Sequence, residues 1–161
     1  MEGKKCRRIF VLISFAALLL IFPWKDQSDN EQNSLPLFCW PVDNAERGEY
    51  RIFQPLTPYP VPPNYVLPAK TGVPVMAAAD GVVIKSEETD GYGRHIVLEH
   101  KNGYTTWYLH CSRLAVNLGD LVQTGEVIGE VGRTGHALGD ALGFIVMLDG
   151  TAIDRNEFLL L

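Results

Sequence analysis

Cysteine is scarce in this chain, with three in 161 residues and none in a CxxC pair. That excludes a fold built on disulfides and gives no signal for zinc-ribbon or thioredoxin-type chemistry. Positive charge is scarce as well once the first 25 residues are passed. From Asp26 to Leu161 nine lysines and arginines stand against 18 acids, a formal charge of −9. Such a surface repels phosphate backbones and argues against nucleic acid as a partner. After Gly72 no segment carries the periodicity of an amphipathic helix. What is present is 47% apolar and 20% charged residues, a composition that folds rather than stays disordered and that fits one modest domain with an appendage.

The appendage is the amino terminus. Lys4, Lys5, Arg7 and Arg8 precede an apolar run over residues 9–24, IFVLISFAALLLIFPW, the charge-then-apolar order of an export signal. At 16 residues it falls just short of the roughly 17–25 that span a bilayer, a gap that flanking Trp24 and Lys25 can close at the interface. Ile21, Phe22, Pro23 and Trp24 are too bulky for an AxA-like cleavage site, and no lipobox-like cysteine follows. Residues 1–25 therefore read as an uncleaved, single-pass membrane anchor. By the positive-inside rule the rest of the chain lies on the extracytoplasmic side. Residues 26–34 read as a polar linker and 35–161 as the domain. Cys39 and Cys111 share the exported part, where a disulfide would persist; a bridge between them and two small buried hydrophobes are equally consistent with their positions.

Between Pro55 and Pro68 there are six prolines, which excludes a helix and argues for an extended loop or an edge. After Gly72 come short β-rich runs broken by Asp-Gly and Asn-Gly turns, the pattern of an all-β, antiparallel domain of sandwich or barrel type. Asn102-Gly103 suits a two-residue type I′ hairpin. Such a turn pairs Lys101 with Tyr104, Leu98 with Trp107, Val97 with Tyr108 and His95 with His110. One face of the hairpin, with Ile96, Leu98, Trp107 and Leu109, is then core. The other, with His95, Val97, Glu99, Thr106, Tyr108 and His110, would line a groove.

Four stretches carry a family resemblance: FCWPV (Phe38 to Val42), KTGVPVMAAADGVV (Lys70 to Val83), GYGRHIVLEHKNGYTTWYLH (Gly91 to His110) and LGDLVQTGEVIGEVGRTG (Leu118 to Gly135). Together with the ending DGTAIDRNEFL they resemble the lysostaphin-like, LytM-type peptidoglycan endopeptidases. The resemblance implies an antiparallel β domain with zinc in a groove, held by the His and Asp of an HxxxD motif and the last His of an HxH motif. A YxH histidine and the first His of HxH assist, and the bond cut lies in the peptide part of peptidoglycan. Three protein ligands and an open position for water are what such chemistry requires.

This chain departs from that pattern. The HxxxD positions fall on Pro62 and Val66, and the HxH positions on Ala141 and Gly143; His110, in Tyr108-Leu109-His110, is the one that matches. No histidine precedes His95, no acid lies between Glu49 and Asp80, and no histidine follows His136, so a register shift recovers nothing. The expectation is a degenerate LytM-like domain, barrel-sandwich-hybrid in type. It would have no metal ligands or cofactor and a vestigial His110. The expected binding groove is lined by His95, Val97, Tyr108, His110, His136 and Asp140. As a non-catalytic module of the bacterial cell envelope it would bind peptidoglycan peptides, a cell-wall hydrolase or another envelope protein. The alternative is a zinc-dependent peptidoglycan endopeptidase with unorthodox ligands from His95, His110, His136 and Asp140. A lipoyl-like carrier, suggested by LGDLVQTGEVIGEVG, is argued against by the neighbours of Lys101, which lack the usual Met flanks. His100, before the turn, is expected to be structural.

Overall fold

A computed structural model of the chain describes residues 38–42, 52–53 and 64–153, and there the β-rich runs form antiparallel strands. One sheet follows the order β1 (Ile52–Phe53), β2 (Asn64–Pro68), β10 (Ala141–Leu148), β6 (Tyr104–Cys111), β5 (Gly93–Glu99), β4 (Gly81–Thr89) and β8 (Leu121–Val122), with β11 (Thr151–Ala152) also paired to β10. A smaller sheet joins β3 (Pro74–Met76), β9 (Val127–Glu130) and β7 (Arg113–Leu114). The one helical turn among the described residues is a 3-10 turn at Lys101–Gly103. The all-β antiparallel expectation is met.

The pleat gives the large sheet two different faces. On one, Ile96, Tyr108 and Phe144 form a cross-strand row, as do Leu98, Thr106 and Val146. These residues are buried, and all but Thr106 join Leu67, Val75, Val83, Ile128 and Leu142 in the hydrophobic core. On the other face one row runs Lys85, Val97, Trp107, Ile145; Val97 and Ile145 are themselves buried, Trp107 is half-buried and Lys85 is exposed. A neighbouring row places Leu109 beside Gly143 and Gly143 beside Val66, with Glu87 paired to His95 further along.

The hairpin departs from the expected register by one residue. Three residues, Lys101 to Gly103, make the turn, with Asn102 and Gly103 at positive φ (61° and 78°) and the His100 N–H donating to the Tyr104 carbonyl. Leu98 therefore pairs with Thr106, Val97 with Trp107 and Ile96 with Tyr108. A one-residue slip moves every side chain of a strand to the other face, so Tyr108 and Thr106 belong to the core, and Trp107 and Leu109 to the opposite face where the groove is expected, Leu109 buried there and Trp107 half-buried. Tyr108, expected in the groove, is fully buried on the opposite side. Near the end of the hairpin the register changes between Arg94 and Ile96. There Leu109 and His110 together oppose His95, a bulge in which His110 takes φ 66°.

The Cys39–Cys111 bridge is not formed, because Cys111 is a free, buried thiol. The last five residues of the proline-rich segment form β2, which lies between β1 and β10 rather than at an edge. Pro68 is tolerated because it ends the strand and β1 reaches only Asn64 and Tyr65. Among the described residues no helix is long and apolar enough to cross a membrane. The apolar run 9–24, the linker 26–34 and residues 154–161 lie outside the described residues.

Candidate groove site

The groove face gathers the positions singled out by the sequence motifs. Val66 and Gly143 are cross-strand partners, and Ala141 shares their face two residues along β10. A Cβ placed on Gly143 would lie 3.0 Å from Leu109 Cβ and 3.3 Å from His110 Cδ2, so the imidazole rests where a residue-143 side chain would begin. One of these three apolar positions, Gly143, thus lies against the imidazole. Pro62 lies outside the described residues.

His110 is held in place with some strain. Its left-handed backbone costs a non-glycine residue about 1–3 kcal/mol, and its N–H donates to the Tyr92 carbonyl at 3.0 Å. Its Nδ1 lies 2.8 Å from the Thr134 carbonyl; an Nδ1–H donor there leaves Nε2 of the neutral ring as a lone pair. Burial pushes the His110 pKa below its ordinary value; the Thr134 hydrogen bond opposes this, and the neighbouring charges of His136 and His95 add to it. Thr134 is the fastening point. Its hydroxyl accepts from the Arg94 N–H and donates to the Cys111 carbonyl, both at 2.9 Å. Gly93 and Gly135, at φ 63° and 62°, let the two loops interlock, since a Cβ on either would run into backbone of the other loop.

His95 is 1% exposed. Its Nδ1 is 3.1 Å from the Gly93 carbonyl and its Nε2 3.5 Å from Glu87 Oε1. The ring stacks on Trp107 (centroids 6.3 Å, 5° between planes), and Tyr92 meets both rings edge-on at 5.5 and 5.8 Å. Val97 is on the same face and buried. The structure thus brings together His95, Val97 and His110, with His136 exposed but near enough to affect His110. Asp140 is exposed, and Tyr108 is elsewhere. Trp107, Thr134, Lys85 and Glu87 were not anticipated, because the expected register sent Trp107 into the core and nothing in the sequence marks the bulge.

On the core face His100 shows the opposite arrangement. It is 3% exposed, with Nδ1 2.9 Å from the Asp80 carbonyl and Nε2 2.7 Å from the Thr106 hydroxyl. The Thr106 and Tyr108 hydroxyls are 2.9 Å apart, and the Ala78 N–H donates to the Tyr108 oxygen at 2.8 Å. Burial lowers the His100 pKa, against the Asp80 hydrogen bond and charge, and raises that of Tyr108.

A tetrahedral zinc site with an open position needs three protein ligands. Val66, Ala141 and Gly143 offer no side-chain donor, and His110 alone does not fit the ion. Nor do His95, His110, His136 and Asp140 converge as a substitute: among the described residues no three His, Cys, Asp or Glu side chains are grouped to hold a metal.

The sequence pattern of Peptidase family M23 matches residues 65–155. The peptidoglycan DD-endopeptidase ShyB of Vibrio cholerae is 33% identical over 124 residues, which is 73% of this chain and 29% of that protein. ShyC of the same organism is 39% identical over 87 residues, 54% of this chain and 20% of its own length. The chain thus spans less than a third of the length of these relatives. In structure, a zinc-containing peptidase from Vibrio cholerae superposes with TM-score 0.64 at 31% identity, over 74% of this chain and 39% of that one. The catalytic domain of lysostaphin from Staphylococcus simulans gives 0.61 at 28%, over 70% and 89%. A chain of the SpoIIQ–SpoIIIAH pore-forming complex gives 0.51 at 31%, over 53% and 56%. Sequence pattern, relatives and sheet topology agree, and the chain belongs to peptidase family M23.

Proposed function

We propose that this chain is a non-catalytic M23 domain that binds the peptide part of peptidoglycan in its groove, held outside the bacterial cytoplasmic membrane by residues 9–24. The observation that carries this reading is the row Val66–Gly143–Leu109 with Ala141 beside it, where the family's ligand positions meet and a single imidazole remains. Without three donors there is no activated water, and the groove is left with binding. The costly backbone of His110 and its fastening to Thr134 support a role for that imidazole in contacting a ligand, its Nε2 lone pair accepting a peptide N–H. The relatives' names, peptidoglycan endopeptidases, supply the ligand class.

The test is sedimentation of the full-length chain with isolated peptidoglycan sacculi, beside zinc analysis after metal loading and desalting. The wild-type chain is expected to sediment with sacculi, His110→Ala to lose most of that retention, and neither to keep stoichiometric zinc. One zinc per chain, lost in His110→Ala, would overturn the reading in favour of hydrolysis with unorthodox ligands. A second reading, docking of another envelope protein on the same domain, is supported by the likeness to a chain of a pore-forming complex. It predicts cross-linking to a membrane partner and no retention on sacculi.

A further inference from the structure

The row Lys85–Val97–Trp107–Ile145 lies beside the Gly143 row on the same face, and it contains a cation held against an aromatic ring. Lys85 Nζ sits 5.5 Å from the centroid of the Trp107 ring and 3.8 Å from Glu87 Oε1. Glu87 also faces the buried His95, whose ring stacks on Trp107, and Tyr92 closes the cluster edge-on. An aromatic face and a carboxylate converging on one ammonium are the elements of an amine-binding cage. The Trp107 indole N–H is buried and has no hydrogen-bond partner among the described residues. Buried donors are seldom left so; among the described residues the indole meets the Tyr92 and His95 rings and the Lys85 cation.

Lys85 is a loose occupant. It is about half exposed, lies on a flexible four-carbon stem, and makes an ion pair too long and too exposed to fix it. On the reading of the groove as a peptide site, we infer that Trp107, Glu87 and Tyr92 form a subsite for a protonated primary amine of the bound peptide, and that Lys85 fills it in the free protein. A ligand's ammonium would replace that of Lys85 over the Trp107 ring and against Glu87, and Lys85 would swing into solvent. The domain thus carries its own weak competitor, which biases it toward peptides with a free amine and away from neutral ones.

The experiment follows the Trp107 indole N–H resonance of the full-length chain in micelles, assigned by its loss in Trp107→Phe. The probe is Nα-acetyl-L-lysine methylamide, and the control is its Nε-acetylated, uncharged analogue. The expected result is a saturable shift with the amine and none with the control. Binding should be about fivefold tighter in Lys85→Ala, the scale of an exposed cation–π contact and ion pair together, and about fivefold weaker in Glu87→Gln. Both substitutions are at exposed positions, so folding is not at issue. Equal shifts with the uncharged analogue, or no tightening in Lys85→Ala, would overturn the inference. If sacculi retain the protein while the amine probe fails, the subsite falls and the peptide reading stands. If the amine binds while sacculi do not, the subsite stands as an amine site and the peptide reading falls.

Discussion

The two faces of the large sheet treat their histidines differently. On the core face both ring nitrogens of His100 are engaged, and the chain from the Asp80 carbonyl through Thr106 and Tyr108 to the Ala78 N–H leaves no polar atom idle. On the opposite face His110 has one nitrogen committed to Thr134, and the Trp107 indole N–H has no partner among the described residues. Both histidines have lowered pKa values for the same first reason, burial. Lowered basicity therefore does not distinguish architecture from binding; completeness of hydrogen bonding does. A closed network locks the fold, whereas an open one leaves capacity for something else to bind.

The sharpest way to break this contrast is to damage the closed network. Tyr108→Phe removes the acceptor for the buried Ala78 N–H and a partner of Thr106, at a cost of about 1–3 kcal/mol, measurable as a lower urea midpoint with unchanged groove binding. A loss of binding at full stability would show that the two faces are not separate. Acid is the next lever. Folded-state pKa values below the unfolded value of about 6.5 mean that the stability from neutral His100 and His110 is fully present above that pH. It is lost as pH falls through 6.5 toward the folded values. Unfolding midpoints should decline over that window, and His100→Gln should flatten the decline. A midpoint insensitive to pH between 7 and 5 would contradict the burial of both rings.

On the groove face the expectation is reversed. His110→Gly relieves the left-handed backbone while giving up one hydrogen bond, so stability should change by no more than about 1 kcal/mol while retention on sacculi falls. A large stability loss would make His110 an architectural residue. The smallest effect concerns Cys111, whose thiol burial pushes the pKa up to about 12. Thiol reagents should leave it unlabelled in the native state and modify it only on unfolding.

Much of this was legible in the sequence, and the limits have identifiable physical causes. Alternation and Gly-containing turns were enough for an all-β antiparallel fold. The face of β5 is legible because its polar ends, His95 and Glu99, lie on one side of the pleat while Ile96 and Leu98 lie on the other, although the apolar Val97 sits between the two polar residues. The face of β6 is not legible in the same way, because TTWYLH is apolar or ambivalent on both faces and the turn alone sets the register expected from sequence. Asn-Gly serves a two-residue I′ turn and a three-residue turn alike. The Asp149–Gly150 pair, with both residues at positive φ between paired Leu148 and Thr151, is where the two-residue form occurs.

The candidate site divides in the same way. That Pro62, Val66, Ala141 and Gly143 stand at the motif positions is a matter of counting residues, and no tertiary information could alter it. That Val66 and Gly143 are strand partners, that His110 leans over Gly143, and that Lys85, Glu87 and Trp107 gather beside them depended on register and on the bulge opposite His95. Side-chain chemistry is written in the chain, but which side chains share a face depends on a pleat of period two, in which one unsignalled extra residue exchanges inside for outside.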